Sequence, residues 1–239
     1  MQVITLEEVN STNLYAKENL ASFADKTVIR ALRQSAGRGR FSRSWIDLGK
    51  ENLFISFVLK PSDSFDPVYS NLTQYLSVVL CKLLEKYGAA CEIKWPNDVL
   101  VNGKKIVGIL AETVMSGNIF KGLVLGIGVN LNADPLSLSK ITGREAAALN
   151  IELNREISAE HFLHELTSDF FAGYDEFLNK GFSFIKSDYI SRASFIDTEV
   201  CVQCINDKKC GIAKGVNDFG ELVLDAADGQ CVLNIGDIL

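Results

Sequence analysis

The chain has 239 residues, 47% hydrophobic and 23% charged, with 24 Lys and Arg against 30 Asp and Glu and a formal net charge of −6. This composition excludes a disordered chain or a fibrous repeat, and the length allows one or two domains. The acidic balance argues against a surface tuned throughout for nucleic acid or anionic lipid.

In chain order, residues 2–6 read as a strand and Ser11 as the N-cap of a helix to about residue 22. Residues 27–32 read as a strand, followed by a Gly/Arg/Ser loop to about Trp45 and an apolar, β-forming strand at 52–59. Asp66 as N-cap, with Pro67 in the first turn, opens a long helix to Tyr87. Short strand-like runs at 91–94, 99–101, 106–112 and 120–128 are separated by turn signals at Asn102-Gly103 and Ser116-Gly117-Asn118. Hairpins without crossover helices imply antiparallel pairing, so the fold class is α+β, a mixed and mainly antiparallel sheet with helices.

Thr142 and Glu145 have the spacing of a capping box opening a short helix. Residues 158–179 read as a long amphipathic helix with Phe162, Leu166, Phe170, Tyr174 and Phe177 on one stripe. After about Ser191, short strands at 199–205, 210–216, 221–224 and 230–235 form a small all-β unit, the size of an SH3-like barrel. Too small to bury much alone, it is expected to pack on the main domain, giving domains at 1–190 and 191–239. Its net charge of −4 disfavours a nucleic-acid-binding tail.

No basic region followed by an apolar stretch opens the sequence, and the most apolar runs fall far short of the roughly 20 residues of a membrane span. A cytoplasmic protein is expected, with its six cysteines (Cys81, Cys91, Cys201, Cys204, Cys210, Cys231) reduced and inert. Cys201 and Cys204 have a metal-like spacing, but strand side chains three apart face opposite ways and no second pair follows. His161 and His164 share a helix face without a third ligand. No metal site is expected at either place.

The charges are unevenly placed. Five of the eight arginines (Arg30, Arg33, Arg38, Arg40, Arg43) fall within fourteen residues. Gly37 and Gly39 let backbone approach a ligand, and the forked guanidiniums of Arg38 and Arg40 suit phosphate oxygens. A solvated basic loop and an RNA-binding segment remain the alternatives. A second cluster, Lys94-Trp-Pro-Asn-Asp98 followed by Lys105 and Gly108, places a bend and a lysine near the core, where a lysine serves an anion or else stays a surface residue at a turn.

Four blocks in order, Ser11-Thr-Asn13, Gln34-Ser-Ala-Gly-Arg-Gly-Arg40 to Trp45, Lys94-Trp-Pro-Asn-Asp98 with Lys105 and Gly108, and Gly126-Ile-Gly-Val-Asn130, resemble biotin–protein ligases, and the resemblance extends over nearly the whole chain. Ser42 departs from it, standing where the family commonly has glycine. The resemblance implies a class II synthetase-like ligase domain with an SH3-like C-terminal unit. It implies ATP, with Mg2+, as cosubstrate for activating biotin to biotinyl-5'-AMP, and transfer to a lysine of a biotin carboxyl carrier domain.

By the same matching, Lys105, Arg40 and Asp98 are the catalytic candidates. Ser11, Thr12, Asn13, Gln34, Gly37, Arg38, Lys105 and Gly108 are candidates for biotin, and Arg38, Arg40, Arg43, Trp45, Asn97 and Asn130 for the nucleotide. The Ser11 block comes too early for a preceding winged-helix DNA-binding domain, so a form lacking one is expected, with no nucleic-acid or membrane partner. Edge strands permit a homodimer. A lipoate–protein ligase on the same architecture and a non-catalytic nucleic-acid binder are the competing readings.

Overall fold

The computed structural model describes residues 2–141 and 145–239. It begins with a parallel strand–helix–strand unit: β1 (Val3–Val9), α1 (Thr12–Glu18) and β2 (Thr27–Gln34). Ser11 caps α1 by backbone geometry alone, without a side-chain hydrogen bond, and the helix ends at Glu18, short of the expected residue 22, where a 3-10 turn takes over. The sheet continues through β3 (Leu53–Leu59) and, after α2 (Leu72–Tyr87), through β4 (Cys91–Lys94), β5 (Asp98–Val101), β6 (Lys104–Ser116) and β7 (Ile119–Val129). Its order is β1-β2-β3-β7-β6-β5-β4, with every pair after the first antiparallel. The expected mixed, mainly antiparallel α+β architecture is therefore the observed one.

β3 is buried along its whole length because both of its faces are covered. Leu53, Ile55, Phe57 and Leu59 pack with α2 and α5 (Ala159–Lys180) into the main core, while Val58 joins Ala16 and Leu20 in a smaller cluster on the opposite face. The expected stripe of Phe162, Leu166, Phe170, Tyr174 and Phe177 is fully buried against that main core. Asp66 does cap its helix, its side chain accepting from the Val68 N–H, but the first turn is 3-10 before α2 proper begins. Between β7 and α5 lie α3 (Pro135–Ser139) and α4 (Leu149–Leu153). The capping box falls partly outside the described residues. Past it, Ala146 bridges Lys105 in extended form, and the helix starts only at Leu149.

After α6 (Lys186–Ile190) come β8 (Glu199–Gln203), β9 (Lys208–Val216), β10 (Leu222–Ala226), β11 (Gly229–Leu233) and β12 (Asp237–Ile238). They form an antiparallel sheet in the order β11-β10-β9-β8-β12, in which the outer strands do not pair to close a barrel. This unit packs on the main domain through Trp95 of the β4–β5 turn, whose Nε1 donates to Gly220 O at 3.1 Å, and Gln74 of α2, whose Nε2 donates to the same oxygen at 2.7 Å. Cys201 and Cys210 face each other directly across β8 and β9 and are joined in a disulfide, which corrects the expectation of six reduced thiols. Cys81 alone of the remaining four is fully buried. Among the described residues no helix is long and apolar enough to cross a membrane.

Candidate active site

On the α1 side of the large sheet, a cavity of about 690 Å³ is bounded by α1, the arginine loop, β5 to β7 and the C-terminal strand β12. That volume is in the range of small-molecule sites. Its floor is made by omission. Gly126 and Gly128 alternate along β7 with Leu125, Ile127 and Val129, which enter the core on the other face. A Cβ at 126 would overlap Asn13 Oδ1, and a Cβ at 128 would overlap the Trp45 indole. A Cβ at 108 on β6 would meet the same ring at 2.5 Å, so these glycines are what let Asn13 and Trp45 lie against the sheet.

The arginine loop is folded rather than extended. Trp45 N–H donates to Gly37 O at 2.9 Å and Gly39 N–H to Arg43 O at 2.7 Å. Phe41 adopts positive φ at the tip of the turn. Asp47 anchors its base, accepting from the Gln34 N–H at 2.9 Å and from Arg33 Nε at 2.8 Å. Only three of the five clustered arginines reach the cavity: Arg38, Arg40 and Arg43. Arg30 lies on the α5 side, paired with Glu160, and Arg33 is spent on Asp47.

Arg40 Nη1 donates to Asn97 Oδ1 at 3.1 Å and to Asp237 Oδ1 at 2.8 Å, while Arg43 Nη1 donates to Asp237 Oδ2 at 2.7 Å. Desolvation lowers the Arg40 guanidinium below its ordinary value, partly offset by the charges of Asp237 and Asp98. Asn97 belongs to the turn between β4 and β5 and is pinned by its own Nδ2, which donates to Ile109 O. At the head of the next strands, Lys105 Nζ pairs with Asp98 Oδ1 at 2.5 Å and lies 5.7 Å from the Trp45 ring centroid. The anion that sequence reasoning sought for Lys105 is, within the chain itself, Asp98.

The opposite wall is a polar network. Thr12 donates to Gln34 Oε1 from its backbone N–H at 2.8 Å and from its hydroxyl at 3.2 Å. Asn13 Nδ2 donates to Leu110 O at 3.1 Å and Glu112 Oε2 at 3.0 Å, and its Oδ1 accepts from Ser56 Oγ at 2.6 Å. Lys17 Nζ donates to Glu112 Oε1 at 2.8 Å, and Arg38 Nη1 lies 3.5 Å from that oxygen. Burial alone would raise the Glu112 carboxyl, but hydrogen bonds from Lys17 and Asn13, with the nearby positive charges, hold it below the ordinary carboxylate value.

Nearly all the residues singled out from sequence thus line one cavity, Ser11 and Gly108 among them. Gly37 is the exception: it stands behind the loop, where a Cβ would meet Trp45 O at 2.5 Å. Asn130 lines the cavity, but its Nδ2 is committed to Ala147 O at 3.0 Å, holding the 145–149 segment in place. Trp45 Nε1 is buried without a hydrogen-bond partner among the described residues. Four contributors were not singled out as site residues from sequence: Lys17, Ser56, Glu112 and Asp237. Glu112 ends the expected strand at 106–112 and Asp237 lies just past the one at 230–235, yet nothing in local spacing aims them at distant partners.

The solved structure of a biotin protein ligase from Aquifex aeolicus in complex with biotin and ATP has the same architecture, with a TM-score of 0.81 and 25% identity over 100% of this chain and 97% of that one. Residues 5–130 match the model of the Biotin/lipoate A/B protein ligase family, and the chain belongs to that family. Among curated relatives, the bifunctional ligase/repressor BirA of Bacillus subtilis (strain 168) is 31% identical over 89% of this chain and 65% of its own length. A biotin–[acetyl-CoA-carboxylase] ligase of Paracoccus denitrificans is 29% identical over 98% of both chains. The chain therefore spans just under two thirds of the B. subtilis relative and nearly all of the P. denitrificans one.

Proposed function

We propose that the chain is a biotin–protein ligase: it joins the biotin carboxylate to the α-phosphate of ATP, releases pyrophosphate, and passes biotin from biotinyl-5'-AMP to a lysine of a carboxylase carrier domain. The observation that carries this reading is the convergence of Arg38, Arg40 and Arg43 from one loop and Lys105 from a separate strand on one cavity whose far wall is a hydrogen-bonded polar network. Two anions must meet for the first step, and fixed positive charge offsets their repulsion and the charge that builds during transfer. Magnesium enters with the nucleotide as part of the substrate.

In this reading Lys105 and Arg40 stabilise the reacting carboxylate and phosphate. Arg43, Trp45, Asn97 and Asn130 border the nucleotide, and Trp45 Nε1 is a donor in place for it. Ser11, Thr12, Asn13 and Gln34, with backbone from Gly37, Arg38 and Gly108, hold the polar ring of biotin. Asp98, released from Lys105 when the substrate anions take that cation, orients or deprotonates the incoming carrier lysine. Residues 1–190 form the catalytic domain, and residues 191–239 a small unit that contributes Asp237 to it.

ATP–pyrophosphate exchange measured with and without biotin tests the reading. Exchange is expected only with biotin, because a wall of paired donors and acceptors favours a ureido ring over a plain apolar chain. Exchange that ignores biotin, or that lipoate supports equally well, overturns it. A second expected outcome concerns the floor: Gly126→Ala forces Asn13 out of place. A buried polar group of the ligand left without its partner costs about 1–3 kcal/mol, so biotin affinity measured by calorimetry should fall about 10- to 100-fold.

A further inference from the structure

Glu112 touches none of the reacting groups assigned above, yet one carboxylate gathers contacts from three elements. It stands on β6 with its side chain only 15% exposed. One oxygen takes Lys17 of α1 and faces Arg38 of the loop, and the other takes the amide Nδ2 of Asn13. Two acceptors, Glu112 Oε2 and Leu110 O, therefore define which end of the Asn13 amide is nitrogen.

The consequence passes along the wall. With its nitrogen committed, Asn13 turns Oδ1 to Ser56, whose hydroxyl donates to it at 2.6 Å and lies 2.9 Å from Thr12 Oγ1. Thr12 in turn fills Gln34 Oε1 from its N–H and its hydroxyl, so the Gln34 Nε2 protons are the amide's remaining hydrogen-bonding capacity. Asn13, Thr12 and Ser56 are all buried; the Ser56 proton is spent on Asn13 Oδ1 and the Thr12 hydroxyl proton on Gln34 Oε1, so the polarity set at Glu112 and Leu110 O reaches Ser56, while Gln34 is set by Thr12. Buried networks of this type specify one arrangement when every member is satisfied, and lose it when the ordering member is removed.

We infer that Glu112 is a positioning residue that, with Leu110 O, holds the Asn13 amide and through it the Ser56 hydroxyl in one sense, and that it thereby favours an uncharged ureido ring over an apolar ring of similar size. The selectivity half rests on the biotin reading; the polarity half does not. Glu112→Gln keeps the shape but replaces one acceptor with a donor and removes the charge, so the Asn13 amide is held by Leu110 O alone and less firmly. Glu112→Asp keeps the charge on a shorter arm.

The test compares parent, Glu112→Gln and Glu112→Asp by thermal melting, exchange kinetics and side-chain amide resonances in 15N-labelled protein, with Asn13 assigned by its loss in Asn13→Ala. For Glu112→Gln the expected results are a biotin KM raised about 10- to 100-fold, as for the loss of hydrogen bonds to a charged group, and an ATP KM within about twofold of the parent. The biotin-to-lipoate preference should fall about tenfold, and the Asn13 amide resonances should shift. Glu112→Asp should fall between the two. Equal loss toward biotin and ATP, an unchanged preference, or unmoved Asn13 resonances in folded Glu112→Gln would each overturn the inference. If Glu112→Gln does not fold, the same comparison is read from Glu112→Asp, where parent values for both preference and resonances overturn it. A parent without biotin-dependent exchange refutes the functional reading instead, and the Asn13 resonances still decide whether Glu112 sets the polarity.

Discussion

Lys105→Ala is expected to slow biotin-dependent ATP–pyrophosphate exchange by about 10²–10³-fold, the usual cost of removing one preorganised donor from a developing negative charge. The substitution also leaves Asp98 without the cation that meets it at 2.5 Å. Losing one side of a largely buried ion pair costs about 1–3 kcal/mol, at about 2–4 °C of Tm per kcal/mol in a chain of this size. Two effects thus travel together, and the double variant Lys105→Ala/Asp98→Ala separates them. It should recover part of the lost Tm, because both halves of the ion pair are removed together, and recover none of the exchange rate. Asp98→Asn alone should make adenylate while slowing single-turnover transfer to a carrier lysine. Full exchange by Lys105→Ala removes Lys105 from the chemistry, and full-rate transfer by Asp98→Asn removes Asp98 from the second step.

Asp237→Ala is the second large effect expected. One carboxylate, 12% exposed in its side chain, holds Arg40 and Arg43 through a single nitrogen each. Nε and Nη2 of both guanidiniums are thereby left for phosphate oxygens, so the pairing presents the arginines rather than consuming them. Truncating one partner of a desolvated charge pair costs about 2–5 kcal/mol, so KM for ATP should rise by about 30-fold or more. The sign is diagnostic. If Asp237 instead competed with the incoming phosphate, its removal would lower KM for ATP.

Much of this site was legible in the residue order because its parts come as local blocks. Arg38, Arg40 and Arg43 share one turn, Asn97 and Asp98 one bend, and Ser11 to Asn13 one helix start, so short-range spacing reports them. What stayed hidden depends on pairing between distant segments. Asp237 meets Arg40 across 197 positions and Glu112 meets Asn13 across 99, distances at which no periodicity survives. Arg30 shows the converse: adjacency in sequence placed it with the other arginines, while the sheet sends it to the opposite side. The fold divides the same way. The stripe of α5 and the hairpins from 91 to 129 follow from period and turn chemistry. The Cys201–Cys210 bond follows from the β8–β9 register, which the sequence leaves unspecified.

The alternation along β7 bears on how the chain reaches this fold. Leu125, Ile127 and Val129 serve the core while Gly126 and Gly128 serve the cavity floor, and β7 pairs on both edges, with β3 and with β6. A slip of one residue exchanges the two faces of a strand. Here it would drive three branched side chains into the space of Asn13 and Trp45 and leave glycines in the core. The misregistered sheet would lose its apolar packing and its ligand site in the same step. The demands of binding and those of folding therefore select the same register, and each protects the other from drift.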